Sequence, residues 1–275
     1  MSRRSGFRRL SSDAVEMVYG PVQSRRLGYS LGINVNLSMQ KICTFDCVYC
    51  QYGPTIDLIS SPDEFVDWPE DNMLLDEVKK WLQRILAIGS KLDSITFSGF
   101  GEPTLYPRLK DAIKGVEKLR DQYCPGVEVD ILTNASLINR EDVFGALSEI
   151  DMVVAKLDAG SQETFKAINR PAKGVPSLDD IVESLTRLQS ATGKVKLQTL
   201  IFRSTDPSFR DNSSFDEIER IAEKARTIDP VEIQVYTVSR YPAEYFVKPI
   251  EASALREAAE RMNTIIGKQC AKTYV

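Results

Sequence analysis

Histidine is absent from the 275 residues. That excludes Ser-His-Asp triads, Cys-His nucleophile pairs and every metal site that relies on imidazole. Cysteine is scarce as well. There are five, an odd and clustered set, which argues against a disulfide framework. No apolar run approaches the roughly 18 residues a membrane helix needs. The N-terminus, MSRRSGFRRLSSD, is basic but lacks an apolar signal core. Positive charge is not in excess either. The net charge is −4, so no broad electrostatic footprint for nucleic acid is expected, although a local patch is compatible with it. There is no Gly/Ser-rich linker and no internal repeat. These absences describe a cytoplasmic protein with reduced thiols and no membrane contact.

What is present is a globular chain, 43% hydrophobic, with three of its five cysteines packed into KICTFDCVYCQYG. Cys43, Cys47 and Cys50 form a C-x₃-C-x₂-C run. A structural zinc site needs four ligands, commonly two C-x₂-C halves. Only one half is here, with one further thiol, and Cys124 or Cys270 would have to complete the set. A cubane [4Fe–4S] cluster normally takes four thiolates, and three would leave one iron open. A disulfide inside the loop fits poorly with a reducing compartment. The spacing favours a cluster over zinc and does not say what an open iron would do.

Short β-branched or aliphatic runs at Gly32–Leu37, Ser94–Ser98, Val127–Thr133, Met152–Leu157, Val195–Phe202 and Val231–Val238 alternate with helical patterns. Residues 72–88 place Leu74, Leu75, Val78, Trp81, Leu82, Ile85 and Leu86 on one stripe. Similar patterns span about 107–120, 139–149, 177–190, 214–228 and 251–266. Asn139 and Ser177 open acidic first turns, and Ser214 with Glu217 reads as a capping box. Strands alternating with helices mean βαβ units and a parallel sheet. The expected architecture is α/β: one core domain over 25–275, either a doubly wound sheet or a partial six-stranded (β/α) barrel, preceded by a basic arm over 1–24. Function then belongs at the carboxyl ends of the strands. The cysteine run follows the first strand directly, in a βα loop. Cys124 and Cys270 fall on the opposite edge and are expected to be structural.

A second motif, SGFGEPT at 98–104, follows the second strand. Its glycines allow close backbone approach, and Glu102 offers an acceptor for a cationic amine. Read alone, it is better explained as a plain Gly-Pro turn ahead of a helix, and the cysteine loop one βα unit earlier is what gives it weight.

With both motifs in view, the chain resembles the radical S-adenosylmethionine (radical SAM) superfamily. Cys43, Cys47, Tyr49 and Cys50 match its C-x₃-C-x-φ-C loop, and Gly99-Phe100-Gly101-Glu102-Pro103 matches its GGEP-like motif, with Phe100 departing from the plain form. YGPVQSRRLGYSLGINV, LTNAS and KLDAGSQETFKAINRP are further similar to a subgroup described as Fe–S oxidoreductases related to wyosine-base synthetases. The resemblance implies a TIM-like (β/α)6 partial barrel. It also implies a [4Fe–4S] cluster on Cys43, Cys47 and Cys50, with the fourth iron taking the amino and carboxylate groups of S-adenosylmethionine. A one-electron donor such as flavodoxin or ferredoxin is implied too, with reductive cleavage of S-adenosylmethionine starting radical chemistry. By the same resemblance Tyr49 packs near the adenine, and the Gly99, Gly101 and Glu102 loop receives the methionine amine.

Asn134, Lys156, Asp158 and Gln198 are further cofactor-binding candidates, each with a plain alternative as a cap or an internal pair. Gln234 and Tyr236 are weaker candidates of the same kind. Arg25 and Arg26 suit either substrate contact or anchoring of the arm, and Arg3, Arg4, Arg8 and Arg9 read as a solvated tail. Arg203, Arg210, Arg240, Tyr241, Tyr245 and Phe246 occupy the loops where substrate contacts are expected, and aromatics beside arginine suit an anionic or aromatic substrate. The expected function is a radical SAM enzyme. One rival is wyosine-type tRNA base modification, against which stand the acidic charge and the lack of a second cysteine cluster. The other is a metal-binding or electron-transfer protein without catalysis.

Overall fold

All six apolar runs become parallel strands, and each strand has a face of side chains that helices cover. The computed structural model describes residues 16–275. Arg3, Arg4, Arg8 and Arg9 lie outside the described residues. The main sheet holds β1 (Val18–Ser24), β2 (Gly28–Ile33), β3 (Ser94–Phe97), β4 (Glu128–Thr133), β5 (Met152–Lys156), β6 (Val195–Leu200), β7 (Glu232–Tyr236) and β8 (Ala271–Tyr274). Spatial order equals chain order, from β1 to β8. All neighbours are parallel except β1, which runs antiparallel to β2.

That order separates a barrel from a doubly wound sheet. Right-handed crossovers stepping always in one direction place every helix on the same face. The sheet therefore curls around its other face, as a partial TIM-like barrel. Ile95, Phe97, Val129, Ile131, Val153 and Val195 are fully buried on the helix side. The alternate positions, which share a face by register, include Thr96, Asp130, Lys156, Gln198, Gln234 and Tyr236. The concave face is therefore polar, unlike the aliphatic filling usual in closed barrels of this kind.

The helices are α1 (Asp71–Ile88), α2 (Leu109–Tyr123), α3 (Glu141–Glu149), α4 (Gln162–Asn169), α5 (Leu178–Thr192), α6 (Phe215–Ile228) and α7 (Ala252–Ile266). In α1 the stripe buries Leu74, Val78, Leu82 and Ile85, each worth about 1.5–3 kcal/mol when fully covered. Leu86, at the edge of the stripe, stays exposed. The helix stops at Gly89, whose left-handed φ of 63° lets its N–H reach the carbonyls of Ile85 and Leu86. None of the described helices is long and apolar enough to cross a membrane.

The structure corrects four details. The sheet has eight strands rather than six, because β1 and β8 extend its two edges. The arm is shorter than expected, since Val18–Ser24 pairs with β2 and so belongs to the sheet. The first parallel strand ends at Ile33 rather than Leu37, because the side chains of Asn34 and Asn36 divert the backbone by bonding nearby main-chain groups. The capping box of α6 is half-formed. Ser214 accepts from the N–H of Glu217, but the Glu217 carboxylate is buried and turns instead to the N–H groups of Gly160 and Ser161, 2.6 and 3.0 Å away.

Candidate active site

The cysteine loop stands over the carboxyl ends of β2 to β5. Ile42–Cys43 pairs in parallel with Asp57–Leu58, which holds both ends of the loop. Between them the N–H groups of Asp46 and Val48 reach the carbonyls of Asn169 and Ile168 at the end of α4, at 3.0 and 2.9 Å. Cys43 is buried, and Cys47 and Cys50 are half-buried. Cys124 caps the end of α2, and Cys270 precedes β8, both at the opposite edge of the sheet. No three Cys, Asp or Glu side chains among the described residues converge as ligands of a single metal ion would.

Two hydrogen-bond chains clamp this loop. The first starts at Glu102, which is buried. Its Oε1 accepts from the N–H and hydroxyl of Thr104, at 3.1 and 2.6 Å, and from the Thr133 hydroxyl at 2.6 Å. Its Oε2 accepts the N–H of Asn134 at 2.8 Å. Asn134 Nδ2 then donates to the Thr44 hydroxyl at 2.7 Å and lies 3.7 Å from Cys43 Sγ. Four donors hold the carboxylate, three on Oε1 and one on Oε2, so Glu102 braces these loops while Oε2 keeps acceptor capacity. Burial still pushes its pKa up despite those donors. Asn134 is likewise a brace between β4 and the cysteine loop.

The second chain starts at Asp158, whose side chain is fully enclosed. It accepts from the Tyr49 hydroxyl, from the Leu200 N–H at 2.7 Å and from Lys156 Nζ at 2.9 Å. Asn169 Nδ2 donates to the Tyr49 hydroxyl at 3.0 Å and to Cys47 Sγ at 3.4 Å. Lys156 also donates to the Tyr236 hydroxyl at 2.8 Å. Burial works to lower the Lys156 pKa, but the charge of Asp158 and the Tyr236 contact outweigh it, so the ammonium is held. Burial, then the Asp158 charge, pushes the Tyr49 phenol well up, which keeps it a donor.

The SGFGEP loop lies against the cysteine strand. Gly101 bridges Ile42, and the Glu102 N–H reaches the Ile42 carbonyl at 3.1 Å. A Cβ on Gly101 would sit 1.8 Å from that carbonyl, and its φ of 141° disfavours any side chain. Phe100 does not disturb this contact. Its N–H is held by Asn34 and its carbonyl by Asn36, at 3.2 and 2.6 Å. The glycines are thus required for the approach of two loops.

The structure therefore joins Tyr49, Asn134, Lys156, Asp158, Glu102, Gly99 and Gly101 around one loop, mostly as its supports. Gln198 donates to Gln234 at 2.9 Å, deep in the concave face. Phe246 is core, packed 4.5 Å from Phe209. Tyr241 and Tyr245 are exposed. Arg240 donates to Gln51 beside Cys50 at 2.9 Å, whereas Arg203 and Arg210 are exposed and join none of these chains.

Three supports were not anticipated from sequence. Asn169 depends on α4, whose signal was Ser161 as N-cap ahead of Thr164. Lys41 is buried, and nothing in its position before Cys43 foretold that. Tyr19, on β1, donates to or accepts from the Ser98 hydroxyl at 2.7 Å and covers Gly32.

Burial pushes the Cys47 thiol up to about 11 and Cys43 further. Metal loading must therefore displace protons, as thiolate ligation always requires. The donor set fits an iron–sulfur cluster: three soft sulfurs in one loop, two of them beside amide nitrogens, and no imidazole.

The sequence pattern of the Radical SAM superfamily matches residues 37–215. The "UPF0026 protein MJ1312" of Methanocaldococcus jannaschii is 35% identical over 253 residues, 92% of this chain and 73% of that protein. Among solved structures, TYW1 with a lysine-pyruvate adduct bound superimposes with a TM-score of 0.62 at 16% identity, covering 86% of this chain and 73% of that one. A radical SAM methyltransferase from Sphaerobacter thermophilus gives 0.63 at 14% identity, covering 89% and 65%. At such identities these two structures speak for the fold. The matched pattern spans the cysteine loop, the SGFGEP loop and, Tyr236 apart, both hydrogen-bond chains, and the chain belongs to the radical SAM superfamily.

Proposed function

We propose that the protein is an enzyme that holds a [4Fe–4S] cluster on Cys43, Cys47 and Cys50 and binds S-adenosylmethionine beside it. One observation carries this reading: the three sulfurs lie in one loop at the carboxyl ends of the strands, with amide nitrogens of Asn134 and Asn169 beside Cys43 and Cys47. When bound and reduced, such a cluster supplies one electron to the sulfonium of S-adenosylmethionine, releasing methionine and a 5′-deoxyadenosyl radical. Membership of the superfamily supports both cofactors. A small one-electron donor, flavodoxin-like or ferredoxin-like, is the partner this chemistry needs.

The chain's own residues do the positioning. Gly99 and Gly101 admit the loop backbone to the methionine end, with Glu102 fixing that loop. The Tyr49 ring, steadied by Asp158 and Asn169, faces the adenine. The substrate is a small anionic or aromatic molecule. Cations that no carboxylate pairs among the described residues support this: Arg25 donates to Ser239 at 3.0 Å, and Arg26 stacks 4.0 Å over the Tyr236 ring.

The test is anaerobic reconstitution. Four irons per chain, lost on Cys43→Ala, Cys47→Ala or Cys50→Ala and kept on Cys124→Ala and Cys270→Ala, are expected. Cleavage of S-adenosylmethionine to 5′-deoxyadenosine is expected with them. Stoichiometric zinc in place of iron would refute the assignment.

A second reading, modification of a tRNA base, draws on exposed Tyr241 and Tyr245 beside Arg240, where a base could stack. Product analysis across bulk tRNA, peptides and small-molecule extracts separates the two. A modified nucleoside formed only with this enzyme would favour tRNA.

A further inference from the structure

The nitrogen groups around the cysteine loop differ in kind. Cys43 and Cys47 face neutral amides, those of Asn134 and Asn169. Among the described residues no such amide meets Cys50; inside its turn lies the ammonium of Lys41, which donates to the Gly53 carbonyl at 3.0 Å, and the Gly53 N–H in turn reaches the Cys50 carbonyl at 3.1 Å. Lys41 is 3% exposed. Among the described residues no carboxylate pairs with it, and its ammonium lies within the loop that carries the three cysteines. An ammonium buried without a counter-charge costs several kcal/mol. Ordinary packing does not call for a lysine there, since a methionine would fill the same space without that cost.

The position is fixed rather than incidental. The Lys41 carbonyl accepts the Asp57 N–H at 3.1 Å, next to the Ile42–Cys43 pairing, so the main chain of the residue is part of the loop's base. The Gly53 carbonyl closes the other side of the loop, three residues beyond Cys50. The side chain thus spans the loop from its first to its last turn.

We propose that Lys41 is the buried counter-charge of the cluster and sets its reduction potential. This rests on the cluster reading above. Three thiolates on a doubly positive core leave one net negative charge, and reduction makes it two. A fixed cation beside Cys50 stabilises the reduced state more than the oxidised one, so it makes the cluster easier to reduce. The two amides polarise their sulfurs in the same direction, but as dipoles they contribute less than a full charge in a medium of low dielectric. The lysine is a positioning charge and touches neither substrate nor radical.

The experiment uses the full chain, reconstituted anaerobically, with iron content, absorption spectrum and EPR-monitored redox titration as readouts. Lys41→Met and Lys41→Gln are expected to keep four irons. At a fixed potential their ratio of reduced to oxidised cluster should fall at least tenfold, a 59 mV drop in midpoint for a one-electron couple. Lys41→Arg, which keeps the charge, should recover most of that shift, and Asn169→Ala should move the midpoint less than Lys41→Met. A wild-type midpoint in Lys41→Met or Lys41→Gln overturns the inference and leaves the cluster assignment standing. Loss of the cluster from both variants, with circular dichroism showing them folded, would assign Lys41 to assembly and also overturn it. Wild-type protein that takes up no iron would fail the cluster reading itself.

Discussion

The Glu102 carboxylate accepts the backbone N–H of Asn134 at 2.8 Å, tying the loop after β3 to the end of β4. Through Asn134 the same contact reaches Thr44 and Cys43. A residue read from sequence as a ligand for an amine is, in the fold, the keystone between three loops.

Replacing Glu102 should therefore act first on stability. Glu102→Ala strands the N–H groups of Asn134 and Thr104 and two hydroxyls in a buried site. Each unsatisfied group costs about 1–3 kcal/mol, so a loss of roughly 3 kcal/mol or more is expected. Glu102→Gln should lose less, because only the partner of Asn134 changes from acceptor to donor. Thermal melting of the two variants checks this. Wild-type melting of Glu102→Ala would remove the brace, and normal S-adenosylmethionine affinity in a destabilised Glu102→Ala would remove any direct role in binding.

Gly101 gives a sharper local test. Gly101→Ala puts a methyl group 1.8 Å from the Ile42 carbonyl at a φ of 141°. The SGFGEP loop must then leave the cysteine strand, and reconstituted protein should lose S-adenosylmethionine binding by tenfold or more. Gly145→Ala is the control. It lies within α3, where an added Cβ meets nothing nearer than 4.0 Å, and it should gain about 0.5–1 kcal/mol of stability. Equal behaviour of the two variants in binding would show that the loop tolerates displacement.

Much of this was readable in the sequence, for identifiable reasons. The six parallel strands announced themselves because both faces of such strands carry long-lived patterns: aliphatic toward the helices and mixed polar toward the concavity. Cys43, Cys47 and Cys50 stood out by density alone. The edge strands did not. Val18–Ser24 contains Gly20 and Pro21, and Ala271–Tyr274 is four residues long, so neither carries a strong period. The supports of the site were also hidden. A buried Asn169 or Lys41 has no pattern of its own, because its role depends on which loop the fold brings beside it. Candidates such as Asp158 and Gln198 lie on the concave face, but only the structure shows which neighbours they bond: Tyr49, Leu200 and Lys156 for Asp158, and Gln234 for Gln198.

Asp130 offers a pH-dependent test. It sits fully buried on the concave side of β4, and neither oxygen finds a hydrogen-bond partner. The Thr96 hydroxyl beside it is committed to Ser30 at 2.6 Å and Ser94 at 3.3 Å. Burial raises its pKa to about 7 from the ordinary 3.8. The raised value means the native state keeps a proton that the unfolded chain releases. Stability is therefore lost as pH rises from about 4 to 7, by up to about 4 kcal/mol, and is level above that range. Asp130→Asn should melt higher than wild type at pH 8, with a gap that shrinks toward pH 4. A gap independent of pH would mean that Asp130 is not the titrating group.

The contacts of Arg25 with Ser239 and of Arg26 with Tyr236 join the turn between β1 and β2 to the far rim of the sheet, where β7 and β8 end it. Among the described residues these two contacts, a hydrogen bond and a cation–π stack together worth roughly 1–3 kcal/mol, help stitch the curled wall along its open side. Every other course of the wall is a ladder of main-chain bonds. The stitched side is therefore where the wall parts at least cost, before any strand ladder is disturbed.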